Sequence, residues 1–311
     1  MSIAYSIAID LGSNTLRVTK LACKEGVFVA SYEKSVKTAD RLGETGVISQ
    51  EAMKRIVCAI EEAKEEIDFS NTTIKAVTTE AIRQAKNKEE VLAYIAKKTG
   101  VFFEIISGET EARLTLNAVV YRLEKLEIKR ERFVLVDIGG GSTEIIFHYK
   151  EQRVSQSFPV GIVTIAQRYQ TLSAIEEALP YEMQAMWRFC EEVYRERGET
   201  DALIATAGTP TTVASMKLGL DYAHYDAQKV NGVSLSFSEL DFYLNVLLKM
   251  PFDVREKMVG TGRSDLITAG ILIFKEIYRM TAFESSLVID DGLREGLALE
   301  VCANTYIGLF E

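Results

Sequence analysis

The amino-acid sequence predicts an α/β protein with two domains that share one fold. A unit of strand, Asp-x-Gly turn, strand, turn and strand occurs twice, first from Tyr5 and again from Phe133, and such a repeat indicates two copies of one fold. Apolar runs of strand length also alternate with helical patterns along the chain, which is typical of α/β layers. The 311 residues are enough for two domains that each bury a hydrophobic core.

The composition and charge argue against several classes of protein. Hydrophobic residues make up 47% of the chain and only four residues are proline, which favours an ordered protein over a disordered one. The formal net charge of −9 argues against a general binder of nucleic acid or of anionic membranes. No apolar run reaches the roughly 18 residues that a membrane-spanning helix requires. We therefore expect no nucleic-acid partner and no membrane partner.

The cysteines and the N-terminal residues predict a cytoplasmic location. Cys23, Cys58, Cys190 and Cys302 lie far apart without C-x-x-C spacing, so we expect buried thiols in a reducing compartment. The stretch Met1–Leu11 lacks the basic region of a signal peptide and contains an acidic residue.

The first half of the chain continues from its hairpin in α/β order. We expect a third strand at Val27–Val36, then a polar connection at Thr38–Thr45. Ser49 is the expected N-cap of a helix that ends near Ile67. The later elements expected in this half are a strand at Thr73–Val77, a helix at Lys88–Lys98, a strand at Val101–Ile106 and a helix from Ser107 to Leu123.

The second half begins after Arg122–Arg132, a charged stretch that we interpret as the crossover between the domains. Its third strand, Arg153–Phe158, ends at a tight turn, Phe158–Gly161, and Asp221–Val233 is expected to be irregular. The other expected elements are helices at Tyr181–Arg197, Glu239–Leu248 and Asp265–Arg279, strands at Ala202–Ala205 and Ser286–Ile289, and a terminal helix after Asp291–Gly296.

The turn of the second hairpin, the second loop, has the composition of an anion site. Consecutive glycines let backbone N–H groups approach a ligand closely, and hydroxyl donors follow them. Asp137 and Glu144 flank the turn, and a divalent cation would reconcile two carboxylates with a phosphate. A glycine-rich hairpin with two solvated acids is the alternative. The candidate phosphate-binding residues of the second loop are Gly139, Gly140, Gly141, Ser142 and Thr143.

The turn of the first hairpin, the first loop, repeats this order after Asp10. Two such loops that face one another would hold a polyphosphate between the domains. Both Asp10 and Asp137 follow apolar strands, where they could bind a metal or cap the backbone of their loops, and the sequence leaves both roles open. The candidate phosphate-binding residues of the first loop are Gly12, Ser13, Asn14 and Thr15.

A third loop of small residues, Thr206–Thr212, follows the predicted strand Ala202–Ala205 and precedes a helix. The N-terminus of a helix can bind a phosphate, so Gly208, Thr209 and Thr211 are candidates for a nucleotide or phosphate loop. A helix cap rich in Ser and Thr explains the two threonines equally well.

Together these motifs resemble the exopolyphosphatase and guanosine pentaphosphate phosphatase family of the actin-like ATPase superfamily. The resemblance implies two ribonuclease-H-like domains, each a mixed β-sheet flanked by helices, with the active site in the cleft between them. It places domain I at residues 1–128 and 296–311 and domain II at residues 129–295. The motifs that carry it are Asp10–Thr15, Ala81–Asn87, Ile106–Leu114, Asp137–Glu144, Ala207–Thr212 and Gly292–Gly296.

The resemblance also implies roles for individual residues. Glu111 matches the family's catalytic glutamate, which activates the attacking water, and Asp137 and Glu144 match the acids that organise metal and water. Arg83 is interpreted as a phosphate contact, because its guanidinium can bind two oxygens at once; a surface charge is the alternative. The expected metal ion is Mg²⁺, with Mn²⁺ as the alternative, bound by Asp10, Asp137 and Glu144.

The implied function is a phosphohydrolase that releases the terminal phosphate of inorganic polyphosphate or of guanosine pentaphosphate. Longer members carry a helical module after the terminal helix that this sequence lacks, so we expect guanosine pentaphosphate and short polyphosphates to be favoured. A small-molecule kinase of the same superfamily and a non-catalytic sensor of guanosine tetra- and pentaphosphate are the alternatives. Whether the protein is a monomer or a homodimer stays open.

Overall fold

The computed structural model describes residues 5–150 and 152–305, and the chain divides into two compact units. Unit 1 takes the described residues up to Ala118 together with those from Asp291 onward, and unit 2 takes Val119–Asp290. The last residues of the predicted domain I, 306–311, lie outside the described part of the chain. Within residues 5–150 and 152–305, no helix is both long enough and apolar enough to cross a membrane.

Each unit is built around one mixed β-sheet. The sheet of unit 1 has the order β3-β2-β1-β4-β5, and that of unit 2 has the order β10-β11-β9-β6-β7-β8. The strands are β1 (Tyr5–Leu11), β2 (Thr15–Ala22), β3 (Val27–Ser35), β4 (Thr72–Thr78), β5 (Phe103–Ile105), β6 (Arg132–Ile138), β7 (Thr143–Tyr149), β8 (Gln152–Phe158), β9 (Leu203–Thr206), β10 (Ser234–Ser236) and β11 (Ser285–Val288).

The two sheets repeat the same arrangement of strands. In unit 1, β2 pairs antiparallel with β1 and β3, whereas β4 pairs parallel with β1 and β5. In unit 2, β7 pairs antiparallel with β6 and β8, whereas β9 pairs parallel with β6 and β11. Unit 2 adds β10, antiparallel to β11 at the far edge. The duplication that the sequence predicts is therefore present at the level of strand order and direction.

Helices occupy most of the remaining described residues, beside one 3₁₀ turn at Tyr222–His224. They are α1 (Leu42–Thr45), α2 (Gln50–Glu66), α3 (Glu80–Gln84), α4 (Lys88–Thr99), α5 (Gly108–Lys125), α6 (Ile162–Tyr169), α7 (Leu172–Glu182), α8 (Gln184–Arg197), α9 (Gly208–Lys217), α10 (Ala227–Val230), α11 (Phe237–Lys249), α12 (Phe252–Val259), α13 (Ile267–Thr281) and α14 (Leu293–Thr305).

Ser49 caps α2 as the sequence predicts, because its hydroxyl accepts a hydrogen bond from the N–H of Ala52 at 3.1 Å. The alternating apolar residues of β6 and β9 pack against α8, α9 and α13 in the core of unit 2. In unit 1, α14 packs against β1 and β2, and Leu293, Leu297 and Ala298 join the core there.

Several expectations about individual elements were wrong. No helix was predicted between Gly161 and Tyr181, where the structure has α6 and α7, and α8 begins at Gln184 rather than Tyr181. The pattern of α7 is obscured by Pro180 in its last turn. The helix α12 was also missed, and Asp221–Val233 holds the short helix α10 and a 3₁₀ turn instead of being wholly irregular.

The expectation of four buried thiols was wrong for three of the four cysteines. Cys23, which follows β2, forms a disulfide with Cys302 in the last turn of α14, with the two Cα atoms 5.3 Å apart. Cys58 is an exposed free cysteine, and Cys190 is free and buried. The packing of α14 on β2 brings together two cysteines separated by 279 positions, and no spacing rule in the sequence signals such a pair.

The disulfide should stabilise the protein measurably. We expect Cys302→Ser to lower the free energy of unfolding by about 2–5 kcal/mol, because the bond restricts a long loop of the unfolded chain. Urea denaturation without reductant measures this change. Cys58→Ser is the matched control and should leave the midpoint unchanged, since Cys58 is exposed and unbonded. Equal midpoints for both variants would contradict the expectation.

Candidate active site

The second loop is fixed by its own carbonyl groups. The N–H of Gly139 donates to the carbonyl of Ser142 at 2.9 Å and closes the turn. The carbonyl of Gly139 accepts from the N–H of Ile162 at 3.0 Å, and that of Gly140 accepts from the N–H of Val163 at 2.8 Å. The first N–H groups of α6 therefore donate to the carbonyl groups of this loop.

This arrangement leaves backbone donors in the second loop. Among the residues that the structure describes, the N–H groups of Gly140, Gly141 and Ser142 donate to no backbone carbonyl. Successive N–H groups of this kind form a concave site for an anion. These three N–H groups are therefore candidate donors to an anion.

Gly161 holds the second loop in place through direct backbone contact. A Cβ atom added to Gly161 would lie 2.4 Å from the carbonyl oxygen of Gly140 and 2.5 Å from the carbonyl carbon of Gly141. No side chain larger than that of glycine fits there unless the loop moves. The sequence marks this position only as a tight turn, so Gly161 is a site residue that sequence reasoning missed.

The first loop is closed and held in the same way within unit 1. The N–H of Gly12 donates to the carbonyl of Thr15 at 3.0 Å, the same bond that Gly139 makes to Ser142. The carbonyl of Asn14 accepts from the N–H groups of Val36 and Lys37, at 2.8 and 2.9 Å.

In both units, the chain that follows the third strand binds the carbonyl groups of the loop. The carbonyl of Ser13 is bound in the same way, by the N–H of Ala39 at 2.8 Å. In the described part of unit 1, the N–H groups of Ser13 and Asn14 donate to no backbone carbonyl, which makes them candidate donors to an anion.

The residue opposite the aspartate distinguishes the two hairpins. Asp10 pairs across the strands with Arg17, whereas the equivalent Asp137 pairs with Glu144. Asp10 and Asp137 are 8% and 9% exposed, and Glu144 is 1% exposed. Since directly opposed residues of an antiparallel pair project on the same face, unit 2 places two buried carboxylates side by side where unit 1 has a carboxylate beside a cation.

Hydroxyl groups fix the Glu144 carboxylate. Ser142 Oγ and Ser157 Oγ donate to Glu144 Oε1 at 2.8 and 2.6 Å. The hydroxyl of Thr143 donates to the carbonyl of Val160 at 2.7 Å. The hydroxyls of Ser142 and Thr143, which were predicted to contact phosphate, thus donate to groups of the protein itself. The candidate donors to an anion in this loop are the backbone N–H groups.

Glu111 lies in the first turn of α5 and is 8% exposed. The N–H of Glu111 donates to the carbonyl of Ser107 at 3.0 Å, and Ser107 Oγ accepts from the N–H of Thr110 at 3.2 Å, so Ser107 caps the helix. A largely buried carboxylate is thereby held on a rigid element.

Arg83, at the end of α3, has part of its guanidinium engaged. Its Nε donates to Glu80 Oε2 at 3.0 Å, its Nη1 donates to the carbonyl of Ile106 at 2.6 Å, and its Nη2 also pairs with Glu80. A guanidinium carries five N–H donors. The two that remain are available to a phosphate oxygen.

The third loop contains a strained residue. Ala207 has a φ of 73°, a conformation that favours glycine and that concentrates at ligand-binding sites. Thr211 Oγ1 donates to the carbonyl of Ala207 at 2.9 Å, and Thr209 packs against Gly270, where an added Cβ would lie 2.1 Å from Thr209 Oγ1. Both threonine side chains therefore serve the helix and its packing. The loop offers an anion the first N–H groups of α9, at Gly208 and Thr209.

The residues of unit 2 fit a magnesium ion that is shared with a phosphate. Mg²⁺ is usually held by one or two carboxylates together with substrate phosphates and water. Asp137 and Glu144 are such a pair, adjacent on one face and next to the backbone donors of the second loop. Across the described residues there is no cluster of three or more His, Cys, Asp or Glu side chains that could hold a metal alone.

Comparison with known proteins identifies the family. The sequence profile of the Ppx/GppA phosphatase family matches residues 17–305, a span that holds the second loop, Glu111 and the whole of α14. The chain belongs to this family. Membership accounts for the ordered set of motifs from Ala81–Asn87 to Gly292–Gly296.

Other Ppx/GppA proteins and their structures agree with this assignment. Exopolyphosphatase 1 of Mycobacterium leprae is 25% identical over 306 residues, which cover 94% of this chain and 87% of that protein. The crystal structure of the Aquifex aeolicus Ppx/GppA family member has a TM-score of 0.74 at 29% identity, covering 97% of this chain and 98% of that one.

The fold class is confirmed by these structures. An exopolyphosphatase from Cytophaga hutchinsonii superimposes with a TM-score of 0.84 at 21% identity, covering 98% of this chain and 99% of that one. The predicted class of two mixed sheets flanked by helices, the actin-like fold, is therefore correct for this Ppx/GppA phosphatase.

Ser157 is a second site residue that sequence reasoning missed in this Ppx/GppA protein. It lies directly opposite Glu144 in the β7–β8 pair and donates to its carboxylate. The sequence gives little signal for it, because most residues of Gln152–Phe158 are polar and no alternation singles out Ser157. The register that brings Ser157 to Glu144 follows only once the turn between β7 and β8 is known.

Proposed function

We propose that this phosphatase removes the terminal phosphate from inorganic polyphosphate, from guanosine pentaphosphate, or from both, by attack of an activated water. The observation that carries the proposal is the second loop, in which backbone donors lie beside the paired carboxylates Asp137 and Glu144. A phosphate and a divalent cation are the ligands that such a pairing suits. The similarity to proteins named as exopolyphosphatases supports polyphosphate as a substrate.

The two units supply different functions in this proposal. The second loop binds the terminal phosphate through its N–H groups, and the first loop and Arg83 bind oxygens further along the phosphate chain. Asp137 and Glu144 would hold Mg²⁺, and Mn²⁺ is the alternative ion. When bound, the ion neutralises charge on the phosphate oxygens.

Glu111 acts as the general base. Its carboxylate takes a proton from the attacking water as the oxygen bonds to the terminal phosphorus. The bond between that phosphorus and the bridging oxygen then breaks, and the shortened chain leaves with the bridging oxygen. A base held on a rigid helix turn is ready for this transfer without further reorganisation.

A substrate panel tests the proposal. The protein is incubated with short polyphosphate, long polyphosphate or guanosine pentaphosphate, with Mg²⁺ or with a chelator, and phosphate release is measured. We expect release that requires the divalent ion and that is faster with the short substrates. The absence of release from every substrate would overturn the hydrolase proposal.

The same panel separates the two alternatives. A kinase would transfer phosphate from ATP to an acceptor faster than it releases phosphate to water. A sensor would bind guanosine pentaphosphate without turnover. Calorimetric titration of that nucleotide, performed alongside the release assay, distinguishes binding from hydrolysis.

Removal of the Ser157 hydroxyl should weaken the metal site. We expect Ser157→Ala to raise the Mg²⁺ concentration needed for half-maximal activity by about 10–100-fold, because groups that orient a metal-binding carboxylate contribute that much to affinity. The measurement is a Mg²⁺ titration of phosphate release. Ser155→Ala on the same strand is the matched control, since Ser155 lies opposite Ile146. An unchanged Mg²⁺ requirement in Ser157→Ala would remove Glu144 from the proposed metal site.

A further inference from the structure

The terminal helix α14 touches the helix of Glu111 backbone to backbone. A Cβ atom added to Gly296 would lie 1.9 Å from the carbonyl oxygen of Leu114 in α5. Leu114 follows Glu111 by one helical turn, so the two residues share a face of α5. The position of α14 therefore limits where the first turn of α5, and with it Glu111, can lie.

Further contacts within unit 1 hold α14 in this position. Arg113, next to Leu114 on α5, forms an ion pair with Glu300 on α14. Ser6 Oγ in β1 donates to the carbonyl of Ala298 at 3.0 Å. Leu114 also belongs to a buried apolar cluster that includes Leu297 and Cys302 of α14.

The disulfide fixes the far end of the same helix. Cys302 lies in the last turn of α14 and is bonded to Cys23, which follows β2. Cys302 is 1% exposed and Cys23 is 4% exposed. The end of α14 therefore has to move before a reductant can reach the bond. Reduction would leave the contact at Gly296 without its covalent support.

We propose that α14 is the element that positions Glu111, and that the Cys23–Cys302 bond makes the catalytic rate depend on the redox state of the protein. This inference rests on the proposed function, because it requires Glu111 to act in the reaction. The disulfide-bonded protein has α14 fixed against α5 and turns over at the full rate. The reduced protein has a looser α14 and a less well-placed Glu111.

The redox step is an ordinary thiol–disulfide exchange. A dithiol attacks the Cys23–Cys302 bond, and its two sulfurs become a cyclic disulfide as they lose two electrons and two protons. The two cysteines gain these electrons and protons and become thiols. A disulfide oxidant, such as oxidised glutathione, reverses the step and is itself reduced to two thiols.

The test compares oxidised and dithiol-reduced protein in the phosphate-release assay. Alkylation followed by peptide mass analysis establishes the state of Cys23 and Cys302 in each sample. We expect reduction to lower kcat by about tenfold with KM nearly unchanged, since a small misplacement of a catalytic group costs rate without costing substrate binding. Hydrogen exchange in α14 should increase at the same time.

Two variants keep the inference falsifiable. The double variant Cys23→Ser/Cys302→Ser should have the low kcat of reduced protein and should not respond to dithiol. Gly296→Ala should lower kcat in the oxidised protein as well, because it forces α14 and α5 apart while the disulfide stays intact. Circular dichroism of each sample verifies that the fold is retained.

The outcomes separate this inference from the proposed function. Phosphate release with the same kcat in both redox states, or free thiols at Cys23 and Cys302 after oxidation, overturns the inference and leaves the hydrolase proposal standing. A fall in activity that accompanies loss of the folded state assigns the disulfide to stability alone and also overturns it. No release in either state overturns the proposed function and this inference together.

Discussion

Replacing Glu111 with glutamine lowers kcat by about 10²–10⁴-fold, which is the usual contribution of a positioned general base. The amide keeps the shape of the carboxylate but cannot take a proton from water. Glu111 is 8% exposed in the first turn of α5, so the substitution keeps its surroundings and the helix. We expect KM for the phosphate substrate to change little, because binding is assigned to the loops.

The matched control for this prediction lies in the same helical turn. Glu109 is also in the first turn of α5 but is exposed, so Glu109→Gln makes the same change of charge away from the buried position. Phosphate release measured over a range of substrate concentrations gives kcat and KM for both variants. If Glu111→Gln retained the kcat of the control, Glu111 would lose its role as the base.

The second large effect is expected from Gly161→Ala. An added Cβ would lie 2.4 Å from the carbonyl oxygen of Gly140, so the second loop has to shift away from the position in which its N–H groups form the anion site. We expect kcat/KM to fall by about 100-fold or more, as displacements of about 1 Å at a reacting group do. The free energy of unfolding should also fall by about 1–3 kcal/mol, the usual cost of overpacking.

Gly43→Ala is the control for a glycine substitution elsewhere in the chain. A Cβ atom at Gly43 would meet nothing within 4 Å, so activity should be unaffected. Phosphate release and urea denaturation of both variants separate a change at the site from a change in stability. Equal kcat/KM values for Gly161→Ala and Gly43→Ala would show that the loop tolerates the shift and does not hold the phosphate.

Much of the fold was predictable from the sequence because the repeat is local. The strand, Asp-x-Gly turn and strand that begin at Tyr5 and at Phe133 are specified by neighbouring residues, and both hairpins form. The helices α6 and α7 were missed for a local reason as well. A tight turn at Gly161 and Pro180 inside α7 interrupt the patterns by which helices are recognised.

Contacts between residues distant in sequence were not predictable. The bond between Cys23 and Cys302 depends on where α14 packs, and the contact of Gly161 with Gly140 depends on how the chain returns after β8. The motifs pointed to the glycine loops, yet the structure shows that the hydroxyls of Thr143 and Thr211 bind backbone carbonyls. A residue type indicates that a group can bind a ligand, whereas only the fold determines which partner it has.

The matching hydrogen bonds of the two loops show that each unit is self-sufficient in shaping its loop. Every backbone bond described for the first loop comes from unit 1, and every one described for the second loop comes from unit 2. The same scaffold therefore holds Arg17 opposite the aspartate in one unit and Glu144 in the other. The charge beside the aspartate is thus set by a single residue of the second strand, independently of the backbone that shapes the loop.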